Sequence, residues 1–362
     1  MTTKNATQSA QPIQANQAIK KRAVVICPGR GTYNKEELGY LKRLHNNKPE
    51  LIKVIDNYRA EQDQPSVTEL DAMEQYNMRL HTAGENASAL IYACAMGDYQ
   101  AINKDEFDIV AVTGNSMGWY IALAVAGALN EQAAIELINT MGSMMSDGVI
   151  GGQMIYPITD ENWCTDNQVV SDIEQWLKQA NQAENNEVYI SINLGGYLVF
   201  GGNKSGLKAL EELLPVVQDR YPMNLFNHAA FHTPLLTGTA KKAQSLLLPE
   251  LFNKPSIPLI DGLGQIWQPH STDTQALYDY TLSTQVIAPY NFTKAIEVAI
   301  KEYAPDKIII LGPGATLGGA VAQSLIRYHW LDMTSKSDFI TRQKADPFIL
   351  AMGLAEQRKS VV

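Results

Sequence analysis

One pattern recurs three times along this chain and constrains its fold more than any other feature. A short apolar run rich in β-branched residues leads into a glycine-rich loop, and a helix-like segment follows; the apolar runs are residues 23–27, 108–113 and 307–311. Buried strands that alternate with helices predict a mostly parallel sheet, whose binding site is formed by the loops at the carboxyl ends of the strands. We therefore expect an α/β fold with its site at these loops.

The pattern changes between residues 151 and 228. Strand-like and helix-like segments follow each other there as β-α-β-β-α-β, with Gly195-Gly196 as a hairpin turn and Ser205 as the cap of the second helix. This order is that of a ferredoxin-like unit. We expect 151–228 to be a small domain inserted into a large domain made of 21–150 and 229–330. A flexible tail (1–20) and a C-terminal extension (331–362) complete the expected organisation.

Composition excludes several classes of function. Hydrophobic residues make up 45% of the 362 residues, enough for a sizeable core, and the formal net charge of −9 disfavours binding to nucleic acid or to an anionic membrane. The three cysteines form neither a disulfide framework nor a metal site. We therefore expect no bound metal. Since neither a membrane-spanning run nor a secretory signal is apparent, we also expect a cytoplasmic protein. The oligomeric state stays open.

The second glycine-rich loop carries a chemical motif. Gly114-Asn115-Ser116-Met117-Gly118 fits the G-x-S-x-G nucleophile elbow, and it stands between a predicted strand and a predicted helix as that motif requires. Small residues on both sides of the serine allow a tight turn that exposes its hydroxyl, and the N–H of Met117 can stabilise an oxyanion. A packed turn in which Ser116 only caps a helix is the competing interpretation.

A nucleophilic serine needs a base, and the chain offers six histidines. His45 and His81 lie in polar helical stretches and are expected to be solvated, while His270 and His329 lack a strand-end setting. His228 and His232 both follow the last strand of the small unit, where the chain returns to the large domain. Spacing in the sequence does not choose between these two.

Five segments, taken in order, resemble the malonyl-CoA:acyl carrier protein transacylases and the related acyltransferase domains of polyketide and fatty acid synthases. Cys27-Pro28-Gly29-Arg30-Gly31 is similar to their F-P-G-Q-G opening, and 114–118 with Tyr120 is similar to G-H-S-x-G-E-Y. The stretch 229–235 resembles H-A-F-H-S-P-x, Gln285 with Pro289 resembles Q-x-x-x-P, and 312–314 matches the closing G-P-G. The resemblance implies an α/β-hydrolase-like domain with a ferredoxin-like insertion.

The resemblance also implies roles for residues. Ser116 would be the nucleophile and His232 its base, with a backbone carbonyl near Gln285 in place of a triad carboxylate. The N–H groups of Met117 and Arg30 would form the oxyanion hole. Acyl-CoA would donate an acyl group to Ser116, and the phosphopantetheine thiol of an acyl carrier protein would accept it in a ping-pong reaction. Coenzyme A and phosphopantetheine thioesters are then substrates, and no bound cofactor is expected.

Several positions depart from the family pattern and bear on the substrate. The arginine that would hold a malonyl carboxylate is replaced by Met141, which predicts a neutral, acetyl-like acyl group unless Arg30, which replaces a glutamine, substitutes for it. Asn115 replaces a histidine, and Trp119 replaces a glutamate and could narrow the cleft. Phe231 resembles the bulky variant of domains that prefer unbranched groups.

Three alternatives remain. A serine thioesterase or hydrolase would use the same dyad, and a non-catalytic homologue would only bind a carrier protein. A dinucleotide-binding module is the third, because Gly312-Pro313-Gly314 with Gly318 is similar to G-x-G-x-x-G, although no second βαβ unit follows. Because carrier proteins are generally acidic, docking would need a local basic patch, and the candidates are Lys241, Lys242 and Arg327.

Overall fold

The computed structural model describes residues 19–144 and 148–362, so most of the tail expected at 1–20 lies outside the described residues. The strands are β1 Lys21–Cys27, β2 Phe107–Gly114, β3 Gly152–Pro157, β4 Val188–Leu194, β5 Tyr197–Gly202, β6 Met223–Leu225, β7 Leu259–Ile260, β8 Ile266–Trp267, β9 Tyr290–Asn291, β10 Lys307–Ile310 and β11 Ile349–Ala351.

The helices connect these strands and cover the sheets. They are α1 Tyr40–Leu44, α2 Pro49–Glu61, α3 Val67–Asp71, α4 Met78–His81, α5 Gly84–Ala101, α6 Gly118–Val125, α7 Glu131–Ser143, α8 Asn167–Ala180, α9 Lys204–Leu213, α10 Thr237–Leu246, α11 Thr274–Asp279, α12 Gln285–Ile287, α13 Phe292–Tyr303, α14 Leu317–Arg327, α15 Lys336–Ala345 and α16 Ala355–Arg358.

The large sheet confirms the predicted α/β class. Its order is β11-β10-β1-β2-β7-β8, and all neighbouring pairs are parallel except the antiparallel pair β7–β8 at one edge. The three predicted apolar runs are β1, β2 and β10, which lie side by side. Residues 23–27 are fully buried, as expected for a central parallel strand covered on both faces. The carboxyl ends of these strands therefore bring the three glycine-rich loops together.

The small sheet takes four of its strands from residues 151–228. Its order is β6-β3-β5-β4-β9, and the β-α-β-β-α-β order of the segment is observed. A separate apolar core packs α8 and α9 against the sheet. The fifth strand, β9, comes from later in the chain and pairs in parallel with β4, which sequence reasoning did not foresee. The cap of α9 is Asn203, not Ser205, because the Asn203 side chain accepts the Gly206 N–H at 2.8 Å.

A buried carboxylate joins the C-terminal segment to this framework. Asp98 accepts hydrogen bonds from the Tyr40 hydroxyl (2.9 Å), the Gly312 N–H (2.7 Å) and His45 Nε2 (2.9 Å), and it pairs with Arg358. His45 is 1% exposed, so its predicted solvation is wrong. The expected extension 331–362 contributes β11 and Arg358, and it is therefore tied to the large sheet and to the third glycine-rich loop.

Candidate active site

Ser116 lies in the sharp turn between β2 and α6. Its backbone has φ of 55°, in the left-handed region that a serine rarely adopts. The flanking glycines make the turn possible, because an added Cβ would lie 2.2 Å from the Gly118 oxygen at Gly114 and 2.3 Å from the Cys27 oxygen at Gly118. The G-x-S-x-G spacing thus reflects one close approach within the turn, at Gly114, and one of the turn to the end of β1, at Gly118.

His232, and not His228, is the histidine that meets this serine. The Ser116 hydroxyl lies 2.8 Å from His232 Nε2, and His232 Nδ1 donates to the Gln285 carbonyl oxygen at 2.6 Å. This second bond places the proton of the neutral imidazole on Nδ1, so Nε2 is free to accept the serine proton. His232 also has a left-handed backbone, with φ of 60°.

Burial keeps this imidazole neutral. His232 is 1% exposed, and the loss of hydration lowers its pKa to about 4, although the hydrogen bond to the Gln285 carbonyl opposes the shift. At neutral pH the ring is therefore a proton acceptor. Such a pair of hydroxyl and oriented neutral imidazole is the arrangement that activates serine nucleophiles.

Gln285 contacts the site through its side chain as well. Its amide nitrogen donates to the Ser116 carbonyl oxygen at 3.1 Å, and its amide oxygen accepts from the Tyr120 hydroxyl at 2.8 Å. The next peptide group accepts the His232 N–H at 2.7 Å through the Val286 oxygen. One short segment therefore fixes both the serine loop and the histidine loop.

A small cavity lies directly beside Ser116. Its volume is about 40 Å³, and its walls include Ile138, Met141 and Gly142 of α7 together with Ser88 of α5. At about 10–15 Å³ for each water-sized group, it holds about three of them. Met141 is 3% exposed. Among the described residues that line this cavity, Arg30 carries the only permanent charge.

A larger cleft of about 500 Å³ opens from the same serine between the two sheets. One wall comes from the small sheet and includes Gln153, Ile192 and Tyr197, and the other comes from the glycine-rich loops and α14. Arg30 and Phe231 border both the cleft and the small cavity. Ser116 thus lines both a small cavity and the larger cleft.

Arg30 is partly buried and its side chain is held in place. The guanidinium donates to the Thr82 carbonyl oxygen at 2.8 Å. Loss of hydration lowers the pKa of Arg30 to about 10, and the nearby Glu85 opposes that shift, so the group remains charged at neutral pH. Arg30 is therefore neither a freely solvated surface residue nor a cation without a neighbouring carboxylate.

The remaining predicted residues divide into two groups. Met117 lines the small cavity, and Asn115 and Phe231 line the large cleft. Trp119 does neither: it is fully buried, donates to the Thr281 hydroxyl at 3.0 Å, and packs edge-on against an aromatic ring of the core. The expectation that Trp119 narrows the cleft is therefore wrong, because α6 turns its indole into the core.

The other histidines lie in different surroundings. His228 lines the large cleft, and its Nδ1 lies 3.0 Å from the Gln153 amide oxygen. Burial, and secondarily the charge of Arg30, lower its pKa to about 3. His81 is fully buried and hydrogen-bonded to the Leu70 carbonyl oxygen at 3.0 Å, so the prediction of a solvated side chain is wrong there too. His270 and His329 are exposed.

Sequence reasoning missed Ser88 and Thr82 as neighbours of the site. Both belong to the region around the start of α5. Because this helix is buried on nearly every side, its sequence has no amphipathic pattern that would indicate which residues face a cavity. Over residues 19–144 and 148–362, no cluster of three or more metal-ligating side chains is found, and none of the helices there has the length and apolarity needed to cross a membrane.

Known proteins resemble this chain in sequence, although no family model matches it. A malonyl CoA-acyl carrier protein transacylase of Bacillus subtilis is 23% identical over 301 residues, which are 82% of this chain and 88% of the relative. A phenolphthiocerol/phthiocerol polyketide synthase polypeptide of Mycobacterium tuberculosis is 23% identical over 315 residues and 83% of this chain. The chain spans only 18% of the length of that synthase polypeptide.

Solved structures share the fold. The malonyl-CoA:acyl carrier protein transacylase of Synechocystis superposes with a TM-score of 0.70 at 16% identity, covering 94% of this chain and 100% of that one. The transacylase of Xanthomonas oryzae gives 0.69 at 17% identity, covering 93% and 96%. A malonyl-transacylase in complex with a type II polyketide synthase acyl-carrier protein gives 0.67 at 19% identity, covering 90% and 100%. The resemblance drawn from the sequence motifs is therefore confirmed: in sequence and in fold, this chain is similar to the malonyl-CoA:acyl carrier protein transacylases.

Proposed function

We propose that this chain is an acyl-CoA:acyl carrier protein transacylase that carries a short, unbranched, uncharged acyl group on Ser116. The observation that supports this most directly is the contact of the Ser116 hydroxyl with His232 Nε2, while Nδ1 is held by the Gln285 carbonyl. The Bacillus subtilis relative is named a malonyl CoA-acyl carrier protein transacylase, and a nucleophile with an oriented base is what acyl transfer through an enzyme ester needs.

In the first half-reaction, His232 Nε2 accepts the Ser116 proton as Oγ attacks the thioester carbonyl carbon of an acyl-CoA. The oxyanion of the tetrahedral intermediate accepts hydrogen bonds from the N–H groups of Met117 and Arg30. The intermediate collapses by breaking its C–S bond, and the proton on Nε2 passes to the leaving thiolate. The products are coenzyme A and an ester on Ser116.

In the second half-reaction, the thiol of a carrier protein's phosphopantetheine arm gives its proton to His232 and attacks the ester carbonyl. Breaking the C–O bond returns the proton from Nε2 to Ser116 Oγ and leaves a thioester on the carrier protein. The Gln285 carbonyl stabilises the imidazolium that forms in each step. Water must stay away from the ester, since otherwise the same dyad would hydrolyse it.

The size and lining of the small cavity favour an uncharged acyl group. Its volume of about 40 Å³ suits an acetyl-sized group, and Met141 occupies part of its wall. A carboxylate buried there without a full cationic partner would cost several kcal/mol. Arg30 is the candidate partner, but Glu85 already interacts with it. Phe231 borders the cavity, so we expect a 2-methyl branch to be excluded.

The large cleft is proposed to hold the pantetheine arm of coenzyme A or of the carrier protein, with both thioesters as substrates and no bound cofactor. We propose that 21–150 with 229–330 and the small unit 151–228 act as two domains that enclose this arm. Exposed Lys241, Lys242 and Arg327 are candidates for contact with an acidic carrier protein. One of the solved structures of this fold contains a malonyl-transacylase in complex with its type II polyketide synthase acyl-carrier protein.

The proposal is tested by intact-mass spectrometry of the protein after incubation with acetyl-, malonyl- and methylmalonyl-CoA. We expect rapid addition of an acetyl group, slower malonyl loading and little methylmalonyl loading. Ser116→Ala, which keeps the Cβ and removes only the nucleophile, is the matched control and should stay unlabelled. Adding a phosphopantetheinylated carrier protein should then move the acyl group to the carrier thiol.

Three outcomes contradict parts of the proposal. Rapid malonyl loading that is lost in Arg30→Ala would overturn the uncharged acyl group. Release of free acid at the same rate with and without the carrier protein would indicate a thioesterase. A chain that folds but is never labelled by any acyl-CoA would indicate a non-catalytic carrier-binding protein.

A further inference from the structure

The Arg30 side chain borders three cavities at once. Two of them are the small cavity and the large cleft that meet at Ser116. The third is a side groove of about 480 Å³, whose apolar lining includes Tyr33, Tyr76, Met78, Ala87, Ile91 and Phe226. Ser116 does not line the side groove among the described residues, so whatever lies between the two spaces limits what can pass from the serine into the groove.

Helix α5 shows that the small cavity and the side groove are close neighbours. Ser88 lines the small cavity, whereas Ala87 and Ile91 line the groove. Residues 87 and 91 are one turn apart on one face of the helix, and residue 88 is rotated from 87 by about 100°. The small cavity and the side groove therefore lie against adjacent faces of the same helix.

Arg30 lines both the small cavity and the side groove. Its side chain starts in the first glycine-rich loop beside Ser116, and its guanidinium ends at the Thr82 carbonyl oxygen, two residues before α5. Thr82 itself lines the side groove. The side chain thus runs from the serine to the rim of the groove.

The side groove has the character of an acyl-chain site. Its aliphatic and aromatic lining residues outnumber the charged ones, which are Arg30, Lys35 and Glu36. The groove reaches solvent where Met78 is 55% and Phe226 is 58% exposed. Exposed apolar surface next to a reactive centre is a common mark of ligand binding. A straight hydrocarbon chain that passed Arg30 would bury its methylene groups there.

We propose that the Arg30 side chain sets the length of the acyl group, by separating the small cavity from the side groove and so excluding straight-chain acyl groups of medium length. The inference rests on the proposed function, because it concerns what Ser116 accepts. It assigns the exclusion to the volume of the side chain, independently of its charge.

The test compares two variants of Arg30. Arg30→Ala removes the side chain beyond Cβ, whereas Arg30→Met keeps a side chain of similar volume and removes its charge. The rates of Ser116 acylation by acetyl-CoA and hexanoyl-CoA are measured by intact mass. Each buried methylene is worth about fourfold in affinity, so Arg30→Ala should raise the hexanoyl-to-acetyl ratio by about tenfold or more, while Arg30→Met should leave it near the wild-type value. The double variant Arg30→Ala/Ala87→Leu, which fills the groove, should lose the gain.

An unchanged ratio in a folded Arg30→Ala protein would overturn the inference, and so would an equal gain in Arg30→Met. A gain that survives Ala87→Leu would mean that the chain runs into the large cleft instead. If Arg30→Ala does not fold by circular dichroism, Arg30→Ser takes its place with the same expected ratio. Failure of the wild-type protein to react with acetyl-CoA would count against the proposed function, whereas a failure confined to the variants would count against Arg30 as the separator.

Discussion

The lowered pKa of His232 predicts an unusual pH profile for the acylation of Ser116. Burial lowers this pKa from 6.5 to about 4, and the reaction needs the neutral ring. When the pH falls from 7.5 to 5.5, about 97% of a base with pKa 4 stays neutral, against about 9% of a base with pKa 6.5. We therefore expect kcat/KM for acylation to stay almost constant over this range, where an ordinary histidine would lose about tenfold.

The assay is stopped-flow or quenched-flow acylation between pH 5 and pH 8, with the acetyl thioester of N-acetylcysteamine as donor. That donor has no group that ionises in this range, so changes in rate report the enzyme. Circular dichroism at each pH controls for unfolding. An inflection near pH 6.5 in the folded protein would refute the reasoning, because it would mean that the imidazole remains hydrated.

A matched variant checks the cause of the shift. The Phe231 ring lies 6.3 Å from the His232 ring, centroid to centroid, and Phe231 lines the large cleft whereas His232 does not. Phe231→Ala should admit water, weaken the desolvation and raise the pKa of His232 above 4. Since a higher pKa protonates the base earlier as the pH falls, this variant should be slower than wild type at pH 5.5 relative to pH 7.5.

Three further changes test other parts of the structure. Met141→Arg places a cation in the wall of the small cavity and should raise the malonyl-to-acetyl loading ratio by about tenfold or more, measured by intact mass; an unchanged ratio would show that this position does not face the acyl group. Gly118→Ala puts a Cβ 2.3 Å from the Cys27 oxygen, so the turn must shift and acylation should fall by about a hundredfold or more; near-normal acylation would show that the loop tolerates movement. Arg358→Met leaves the buried carboxylate of Asp98 without its cation and should lower the free energy of unfolding by about 3 kcal/mol in urea denaturation; a loss below about 1 kcal/mol would contradict the description of this pair as buried and coupled.

The parts of the fold that follow from local sequence were predicted well. The apolar runs that became β1, β2 and β10 end at glycine-rich loops, and both the strand and the loop are determined by residues close in sequence. The same holds for the elbow around Ser116, where small residues are needed within five positions. Local signals are reliable at this elbow because each glycine is required by a close contact, either within its own turn or with the neighbouring strand.

The parts that depend on distant contacts were not predicted. Strand β9 joins the small sheet although it lies outside residues 151–228. The buried His45 is hydrogen-bonded to the carboxylate of Asp98, 53 residues away in the sequence. Trp119 follows the serine in sequence, but the rotation of α6 turns its indole into the core. Spacing alone did not choose between His228 and His232; the family resemblance assigned His232, and the path of the chain after β6 brings that imidazole to the serine.

The left-handed backbones of Ser116 and His232 have a consequence for how such a chain can change over generations. Outside glycine, each such conformation costs about 1 kcal/mol or more, so two adjacent members of one site lower the stability of the whole molecule. In a lineage without the chemistry, glycine at position 116 would remove that cost, whereas glycine at position 232 would leave a cavity and an unpaired Gln285 carbonyl, because His232 is buried and hydrogen-bonded. A serine at position 116 is therefore explained by the proposed chemistry and not by folding alone.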